Sequence, residues 1–313
     1  MALDPVPWFI GGGAEHSAGT ARLLVHIATG GAAGIVSSPD LFVTQKPAPT
    51  DLITIAPGAA IIPNTNAVQQ SYALRAPSAT DLDITPTGSV SGRSDLVVAY
   101  VDDPEFTGQV LPEDEVQFGP YVKFALIEGV SPTQTTVPET FDYPAIALAR
   151  ITMPVNTAAV TQAMITDLRK VAMPKRTRDL YNTQPTATSS VASTGFVDWI
   201  PQCQRNITIP AWATQIKVVG TIAGAKSTTV GTVGNVAWTL GTLGSQATAF
   251  DFDPNSRSVC MTADTVSIPA NLRGTTQTLK LRGSRASGTG NLVSDALSTV
   301  LWDVEFLEVA SAD

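Results

Sequence analysis

The chain has 313 residues, 43% of them hydrophobic and 15% charged, so it is long enough for two packed domains and too apolar for a disordered chain. Its net charge of −8 repels phosphate backbones, which argues against DNA or RNA as a partner. It contains no run of about 18 apolar residues, so the sequence predicts no membrane insertion.

The N-terminal residues predict one short helix and no export signal. Residues 1–5 contain no basic stretch before an apolar one, which indicates synthesis without secretion. In residues 17–28, Leu23, Leu24 and Ile27 form an apolar stripe after Ser17, a residue type that commonly caps helices. Glycines at 30 and 31 should end this helix.

After the helix the sequence has the two-residue period of β-strands. Leu52–Ile55 and residues 60–62 predict two short strands that reverse on each other. Pro57 and Gly58 should form the turn, because proline presets φ and glycine accepts positive φ. Residues 96–101 form a continuous apolar run, which is typical of a strand buried on both faces.

The first domain should close near residue 172. Residues 122–127 and 145–151 predict two further strands, and the helical spacing of apolar residues between positions 160 and 168 predicts a short helix or turn. Residues 173–195 combine prolines and a basic cluster with a Thr-, Ser- and Ala-rich stretch, which favours a linker or neck.

Residues 196–313 predict a second domain that consists of β-strands alone. Apolar runs recur at short intervals without a helical period, which is typical of a β-sandwich or jelly roll. In the last run Val300, Trp302, Val304 and Phe306 alternate with more polar residues, so one face of that strand should be buried. The candidate strands are residues 196–200, 205–209, 216–222, 236–240, 259–268, 278–281 and 299–309.

Short motifs follow one another across about the first 170 positions. They are Gly11-Gly12-Gly13-Ala14-Glu15-His16-Ser17, Arg22-Leu23-Leu24, Gly34-Ile35-Val36, Pro39-Asp40-Leu41-Phe42-Val43, Ala56-Pro57-Gly58-Ala59-Ala60, Gln70-Ser71-Tyr72, Arg93-Ser94-Asp95-Leu96-Val97-Val98, Ala147-Leu148-Ala149-Arg150-Ile151 and Ile165-Thr166-Asp167-Leu168-Arg169-Lys170. In this order they resemble the N-terminal domain of minor tail proteins from phages that infect actinobacteria. The second half carries weaker markers, Ile209-Pro210-Ala211-Trp212 and Arg273-Gly274, which are similar to the sandwich domains that follow this module.

The resemblance implies a structural virion protein at the distal end of a phage tail, made in the cytoplasm of the bacterial host. It implies a homotrimer that contacts other tail-tip proteins and contributes to host attachment. We expect residues 1–172 to dock onto the tail and residues 196–313 to face outward, with a host cell-wall glycan as a candidate ligand. Two alternatives remain: a tail adaptor or decoration subunit without receptor contact, and a cellular carbohydrate-binding β-sandwich protein.

Several motif residues have a structural explanation. Arg93 with Asp95, and Asp167 with Arg169, should tie strand ends together through ion pairs and backbone hydrogen bonds.

The distribution of nucleophiles and bases predicts no catalytic residues. The two histidines, His16 and His26, lie near the N-terminus, whereas Cys203 and Cys260 lie in the second half. A tail-tip hydrolase needs a nucleophile beside a base, and these positions offer none without a contact between domains or chains. We expect the cysteines to be free, buried thiols, although a disulfide between them stays an alternative.

The sequence predicts neither a cofactor nor a metal. In a trimer, His16 or His26 from each copy could meet on the axis around a metal ion, which is the minor alternative. Asp251, Asp253 and Asn255 begin like a calcium loop, but Ser256 replaces the required glycine, so an ordinary turn is favoured. The acidic groups at 102–103 and 113–115 are interpreted as solvated loops.

Tryptophans are concentrated in the second domain, where they are usually core residues. Trp302 is predicted to be buried because of its strand alternation. Trp238 lies in a Gly- and Thr-rich stretch, so it is the candidate for glycan or receptor contact.

Overall fold

The computed structural model describes residues 17–108, 110, 119–229 and 231–310. His16, the glycine motif before it and the acidic group at 113–115 therefore lie outside the described residues. The chain divides into two compact units, which we call unit 1 (up to Met173, with Ala310) and unit 2 (Pro174–Val309).

Unit 1 contains two helices and ten strands among its described residues: α1 Ala18–Thr29, β1 Gly34–Ile35, β2 Val43–Gln45, β3 Leu52–Ile55, β4 Gly58–Pro63, β5 Ser71–Ala76, β6 Thr80–Asp83, β7 Arg93–Val101, α2 Pro104–Thr107, β8 Val122–Ile127, β9 Ala145–Met153 and β10 Ile165–Asp167. The strands form three antiparallel sheets, with orders β1-β4-β5, β2-β3-β6 and β10-β9-β7-β8. The predicted β-rich first domain with one short helix is confirmed.

Strand β7 is the centre of the largest sheet of unit 1. It pairs with β8 on one side and with β9 on the other. Six consecutive residues, 94–99, are buried, as expected for a strand that is covered on both faces. The apolar run at 96–101 therefore indicated its environment correctly.

The predicted hairpin between β3 and β4 is wrong. Strand β3 pairs with β2 and β6, whereas β4 pairs with β1 and β5, so the chain passes from one sheet to another at residues 56–58. Backbone bonds hold this passage: Ala56 donates to the Phe42 carbonyl over 2.8 Å. Gly58 has no positive φ. A Cβ at this position would lie 2.6 Å from the Asp40 Cβ, so the glycine allows the two segments of backbone to pack closely.

Helix α1 lies where it was predicted, but a different face is buried. Ser17 caps it by accepting a hydrogen bond from the Thr20 amide, and the left-handed Gly30 ends it. Leu24 and Ile27, from the predicted apolar stripe, are 42% and 67% exposed. The buried residue of the helix is Arg22.

Arg22 joins the helix to the sheets through charged and aromatic contacts. Its guanidinium donates to Asp103 over 3.0 Å and to Glu105 over 2.6 Å, and it lies 5.6 Å from the centre of the Tyr72 ring. Tyr72 donates to the same Asp103 carboxylate over 2.8 Å, and burial together with that carboxylate raises the Tyr72 pKa. The buried Arg22 and its carboxylate partners therefore attach α1 to the sheets, in place of the apolar contacts that usually hold an amphipathic helix.

The ion pairs predicted from the motifs are confirmed. Arg93 bonds Asp95 over 2.8 Å, and the fully buried Asp95 also accepts from the Gly129 amide. Arg169 bonds Asp167 over 2.8 Å and donates to the carbonyls of Ser38 and Asp40. Each arginine thus ties a strand to a distant loop of unit 1.

The helical spacing at 160–168 corresponds to a single 3-10 turn, Gln162–Met164, followed by β10. Residues 165–167 pair with β9 at the edge of the sheet, so they form a strand and do not continue a helix.

Unit 2 contains twelve strands among its described residues: β11 Arg176–Thr183, β12 Ser189–Val191, β13 Val197–Trp199, β14 Arg205–Thr208, β15 Gln215–Ser227, β16 Thr232–Leu240, β17 Leu243–Gly244, β18 Thr248–Phe252, β19 Ser258–Ser267, β20 Thr276–Ser287, β21 Leu292–Ser294 and β22 Thr299–Leu307. All seven strands expected in residues 196–313 are present, with shifted ends.

The predicted linker at 173–195 is wrong. Strand β11 pairs with β22 along its whole length, from Arg176 opposite Leu307 to Thr183 opposite Val300, and β12 pairs with β21. Six of the eight β11 side chains are exposed, because the strand lies at an edge of the sheet. Its polar composition therefore resembled a linker, although threonine-rich segments also suit exposed strands.

Two antiparallel sheets enclose one core in unit 2, so the predicted β-sandwich is confirmed. The first has the neighbours β11-β22-β15, with β19 on the other side of β15; the second is built around β16 and β20. At Gly224, with φ +87°, a bulge lets the end of β15 leave β19 and pair with β21.

Tryptophans occupy the centre of this core. Trp199, Trp238 and Trp302 are 1%, 0% and 0% exposed. The predicted burial of Trp302 is confirmed; its indole N–H donates to the Cys203 carbonyl over 2.9 Å. Gly220 lies opposite Trp302 across the strands, and a Cβ there would be 2.6 Å from the indole ring. The glycine therefore makes room for the tryptophan.

Candidate functional site

The most distinctive surface of unit 2 is the side of the β11-β22-β15-β19 sheet that points away from the core. Residues opposite each other in antiparallel strands share a face, so the strand register identifies its members. We call this surface the outer face. It comprises Arg176, Arg178, Leu180, Asn182, Leu301, Asp303, Glu305, Leu307, Lys217, Val219, Thr221, Ala223, Val259, Met261, Ala263 and Thr265.

One part of the outer face is apolar and exposed. Val259, Met261 and Leu180 are 65%, 53% and 63% exposed, and Leu301 is 37% exposed. Thr221 pairs with both Met261 and Leu301, so these two side chains belong to one row across the strands. Leu180, opposite Asp303, and Val259, opposite Ala223, lie in the neighbouring rows of the same face. Contiguous apolar surface of this kind typically marks a site of protein contact.

The other part of the outer face is charged, and two of its cations, Arg176 and Arg178, are paired within the chain. The third, Lys217, is exposed and has no ion pair among the described residues. Arg178 makes a two-pronged bond to Asp303, over 2.7 and 2.5 Å, and Arg176 pairs with Glu305. The Arg178 hydrogen bond lowers the pKa of Asp303 below its usual range, and Asp303 in turn raises the pKa of Arg178. The charge of Asp303 is therefore already neutralised by Arg178 within the chain.

The chemistry of the outer face suits association with another protein surface. Its sheet presents apolar side chains beside two ion pairs that are completed within the chain and one cation, Lys217, that is not. It presents no cluster of nucleophile and base among its members.

Trp238 is not a ligand contact, and that prediction is wrong. Its side chain is 0% exposed and belongs to the core beside Val236 and Leu240. The Gly- and Thr-rich composition around it comes from the long strands β15 and β16, in which small residues alternate with core residues. Composition alone could not show which face the indole occupies.

Both cysteines are free and buried, as expected. Burial raises the pKa of Cys203 to about 11 and that of Cys260 to about 12, so the thiols remain protonated at neutral pH. Neither is therefore an activated nucleophile.

The remaining candidate residues have structural roles in the described chain. His26 shares a hydrogen bond with Ser71 over 3.1 Å within unit 1. Asp253 accepts from the Asn255 amide over 2.7 Å, which confirms an ordinary Asx turn. Among the residues that the structure describes, no group of three or more potential metal ligands comes together, and no helix is long and apolar enough to cross a bilayer.

Comparison with known proteins assigns no family. No family model matches the chain, and no curated protein matches its sequence. Among solved structures, the VP2 subviral particle of infectious bursal disease virus is similar with a TM-score of 0.26 and 12% identity over 90% of this chain and 73% of that chain. Dimeric latent PorU from Porphyromonas gingivalis gives a TM-score of 0.28 and 11% identity over 72% of this chain and 25% of that chain.

A β-porphyranase from Bacteroides plebeius gives a TM-score of 0.24 and 10% identity over 88% of this chain and 38% of that chain. TM-scores this low do not establish a shared fold, and they assign no function to this chain.

Proposed function

We propose that the chain is a structural virion protein of a bacteriophage tail tip, a minor tail or baseplate subunit that forms a homotrimer and contributes to host attachment. It acts by binding and not by turnover. Its partners are copies of itself and neighbouring tail-tip proteins. The supporting sequence evidence is the ordered set of motifs in the first 170 positions, which resembles such proteins.

The outer face of unit 2 is the observation that carries the proposal. An exposed apolar sheet face with neutralised charges is a surface for stable protein contact, which a virion subunit needs and a free monomer does not. In a cyclic trimer each contact joins one patch of a copy to a different patch of the next copy, so the outer face would supply one side of that contact.

Oligomeric state tests the assembly part of the proposal. Light scattering on the purified chain should give about three times the 32.7 kDa of one copy. The double variant Leu180→Asp, Met261→Asp should be monomeric, because it places a charge at two exposed apolar positions of the outer face, one on β11 and one on β19. Leu297→Asp, at a loop residue that is 74% exposed and not on the outer face, is the matched control and should leave the mass unchanged. A wild-type monomer would contradict the assembly role.

Two further measurements test the virion assignment. Antibodies raised against the chain should label the distal end of phage tails by immunogold electron microscopy. Purified protein should release no soluble fragments from host cell walls; heat-sensitive release in proportion to protein would contradict the non-enzymatic role. The expectation that residues 196–313 face outward stays a prediction, since the buried Trp238 removes its proposed contact residue.

A further inference from the structure

Unit 1 contains a groove that the proposed assembly role does not use. Two hollows of about 420 and 370 Å³ adjoin each other and share the lining residues Thr65, Val137 and Ala145. The first continues to Phe141, Tyr143 and the acidic side chains Glu139 and Asp142; the second continues to Thr135, Thr136 and Lys170. Together these residues define what we call the unit 1 groove.

The floor of the groove is open because of the alternation in β9. Ile146 and Leu148 of this strand are buried in the core, whereas Ala145 and Ala147 face the groove. Small side chains at these two positions leave space above the sheet.

The walls of the groove are held by hydrogen bonds. Arg150 of β9 donates to the Gln134 carbonyl over 2.9 Å, and the Gln134 side chain donates to the Thr136 carbonyl over 2.6 Å. On the other side, the Asn66 amide donates to the Asn64 side chain over 2.9 Å. The groove is therefore formed in advance, which lowers the entropy cost of binding a ligand.

Aromatic rings gather at one end of the groove. The Tyr100 ring centre lies 5.4 Å from that of Phe141 and 5.1 Å from that of Tyr143, and the last two rings are 5.5 Å apart. Tyr100 belongs to the central strand β7, so it supports the two loop rings from the sheet. Phe141 and Tyr143 are both partly exposed and line the hollow.

The polar side chains along the groove are free to bind a ligand. Within the described residues, the side chains of Thr65, Asn66, Glu139, Asp142 and Lys170 have no hydrogen bond or ion pair with the protein.

A second hollow of unit 1, lined by Arg22, Tyr72, Asp103 and Glu105, differs in this respect. Its polar groups bond one another. In the unit 1 groove, by contrast, partly exposed rings lie beside side chains that have no partner within the described residues.

We propose that the unit 1 groove binds a glycan of two or more sugar rings. The C–H face of a pyranose packs against an aromatic ring, and its hydroxyl groups donate to carboxylates and accept from amide, hydroxyl and ammonium groups. Phe141 and Tyr143 supply the rings, Asp142 and Glu139 the acceptors, and Lys170 a donor at the far end. This inference deepens the proposed attachment role and rests on it, but it places the glycan contact on unit 1 instead of on residues 196–313. Purified protein tests it without a virion.

A printed glycan array, with linear and branched glycans of hexoses, N-acetylhexosamines and pentoses, tests the inference on the full chain. Proline-rich and basic peptides are spotted on the same slides. Wild-type protein should bind at least one glycan class. The double variant Phe141→Ala, Tyr143→Ala should lose that binding, and Tyr143→Phe should keep most of it, because the ring remains. Phe196→Ala, at a partly exposed phenylalanine of unit 2, is the matched control and should bind as wild type.

A second pair of variants separates a loss of glycan binding from a loss of folding. Asp142→Asn and Glu139→Gln change exposed side chains without partners in the described chain, so the fold should be unaffected. Their combination should weaken glycan binding about tenfold, since bonds to charged acceptors are lost. No binding to any glycan, binding that survives both double variants, or binding to the peptides alone would overturn the inference. A monomeric chain that still binds glycans through the groove would contradict the proposed trimer and leave this inference standing.

Discussion

The two units present opposite kinds of binding surface. In unit 2 the outer face is broad and apolar, and its ion pairs, such as Arg178 with Asp303, are completed within the chain. In unit 1 the groove is narrow, with two rings at one end and polar side chains that have no partner in the described chain. A flat neutral face suits another protein, whereas a groove with unused hydrogen-bonding groups suits a hydroxyl-rich ligand. The two surfaces therefore differ in whether their charged groups are paired within the chain, and the proposed assembly and ligand roles rest on that difference.

The largest expected effect is a separation of the two surfaces by mutation. Leu180→Asp with Met261→Asp should abolish self-association and leave the intrinsic glycan affinity of the groove unchanged. Phe141→Ala with Tyr143→Ala should do the reverse. Light scattering and saturation-transfer NMR with an array-positive glycan measure the two properties separately. A double variant that changes both self-association and glycan affinity would contradict separate roles for the two surfaces.

The next effect concerns how each unit is stabilised. Arg22→Ala removes the cation from the Asp103 and Glu105 carboxylates, so unit 1 should lose about 1–3 kcal/mol of unfolding free energy, since the largely buried Asp103 loses a charged partner while Glu105 is solvated. Arg22→Lys keeps the charge but not the forked geometry, and should lose less. Hydrogen exchange at the amides of β5 and β7 measures the change. Protection of the β15 amides in unit 2 should stay as in wild type; an equal loss there would contradict separate stabilisation of the units.

The stability of unit 2 should be sensitive to added volume in its core, whereas that of unit 1 is sensitive to loss of a charge. Gly220→Ala places a methyl group against Trp302, which should cost about 1–3 kcal/mol, as is typical of an overpacked core. Gly231→Ala is the matched control for space, since nothing lies within 4 Å of a Cβ there, although its positive φ of 76° adds a backbone cost of its own. Near-UV circular dichroism of the buried tryptophans follows unfolding. A stable Gly220→Ala protein would show that the core yields to the added methyl.

The smallest effect is a pH dependence at the loop that joins β21 to β22. Asp295 accepts two bonds from Arg257 and one from the Leu297 amide, and together these lower its pKa from 3.8 to about 2. A carboxylate with a depressed pKa stabilises the fold above its unfolded value of 3.8 and loses that contribution as pH falls towards 2. The stability difference between wild type and Asp295→Asn should therefore be constant at neutral pH and shrink in this window. Thermal melts at a series of pH values measure it; a difference that persists at pH 2 would contradict the assignment.

Elements with strong local patterns could be predicted from the sequence. The run at 96–101 and the alternation around Trp302 carry enough apolar residues to specify their own burial, and the apolar run at 122–127 specifies a strand. The ion pairs of Arg93 and Arg169 were also predictable, because each arginine lies two residues from its carboxylate.

Other predictions failed where a partner distant in sequence determines the outcome. Polar residues 176–183 form a strand because β22 offers a free edge, not because of their composition. Arg22 bonds Asp103 and Glu105, which lie 81 and 83 positions later in the chain. Because these bonds turn the Arg22 side of α1 towards the sheets, Leu24 and Ile27 of the apolar stripe are exposed. Trp238 is buried because the first sheet of the sandwich covers the face of β16 on which it lies.

The groove and the outer face show the same limit. Phe141, Tyr143 and Asp142 are adjacent in the chain, but no local pattern brings Asn66 and Lys170 beside them. Leu180, Leu301 and Met261 likewise share one face only through strand register. The sequence by itself determined the β-rich class, the main strands and the short-range ion pairs, because these depend on neighbours within a few residues. Only the tertiary structure decided which side chains share a surface, because pairing between distant strands places them there.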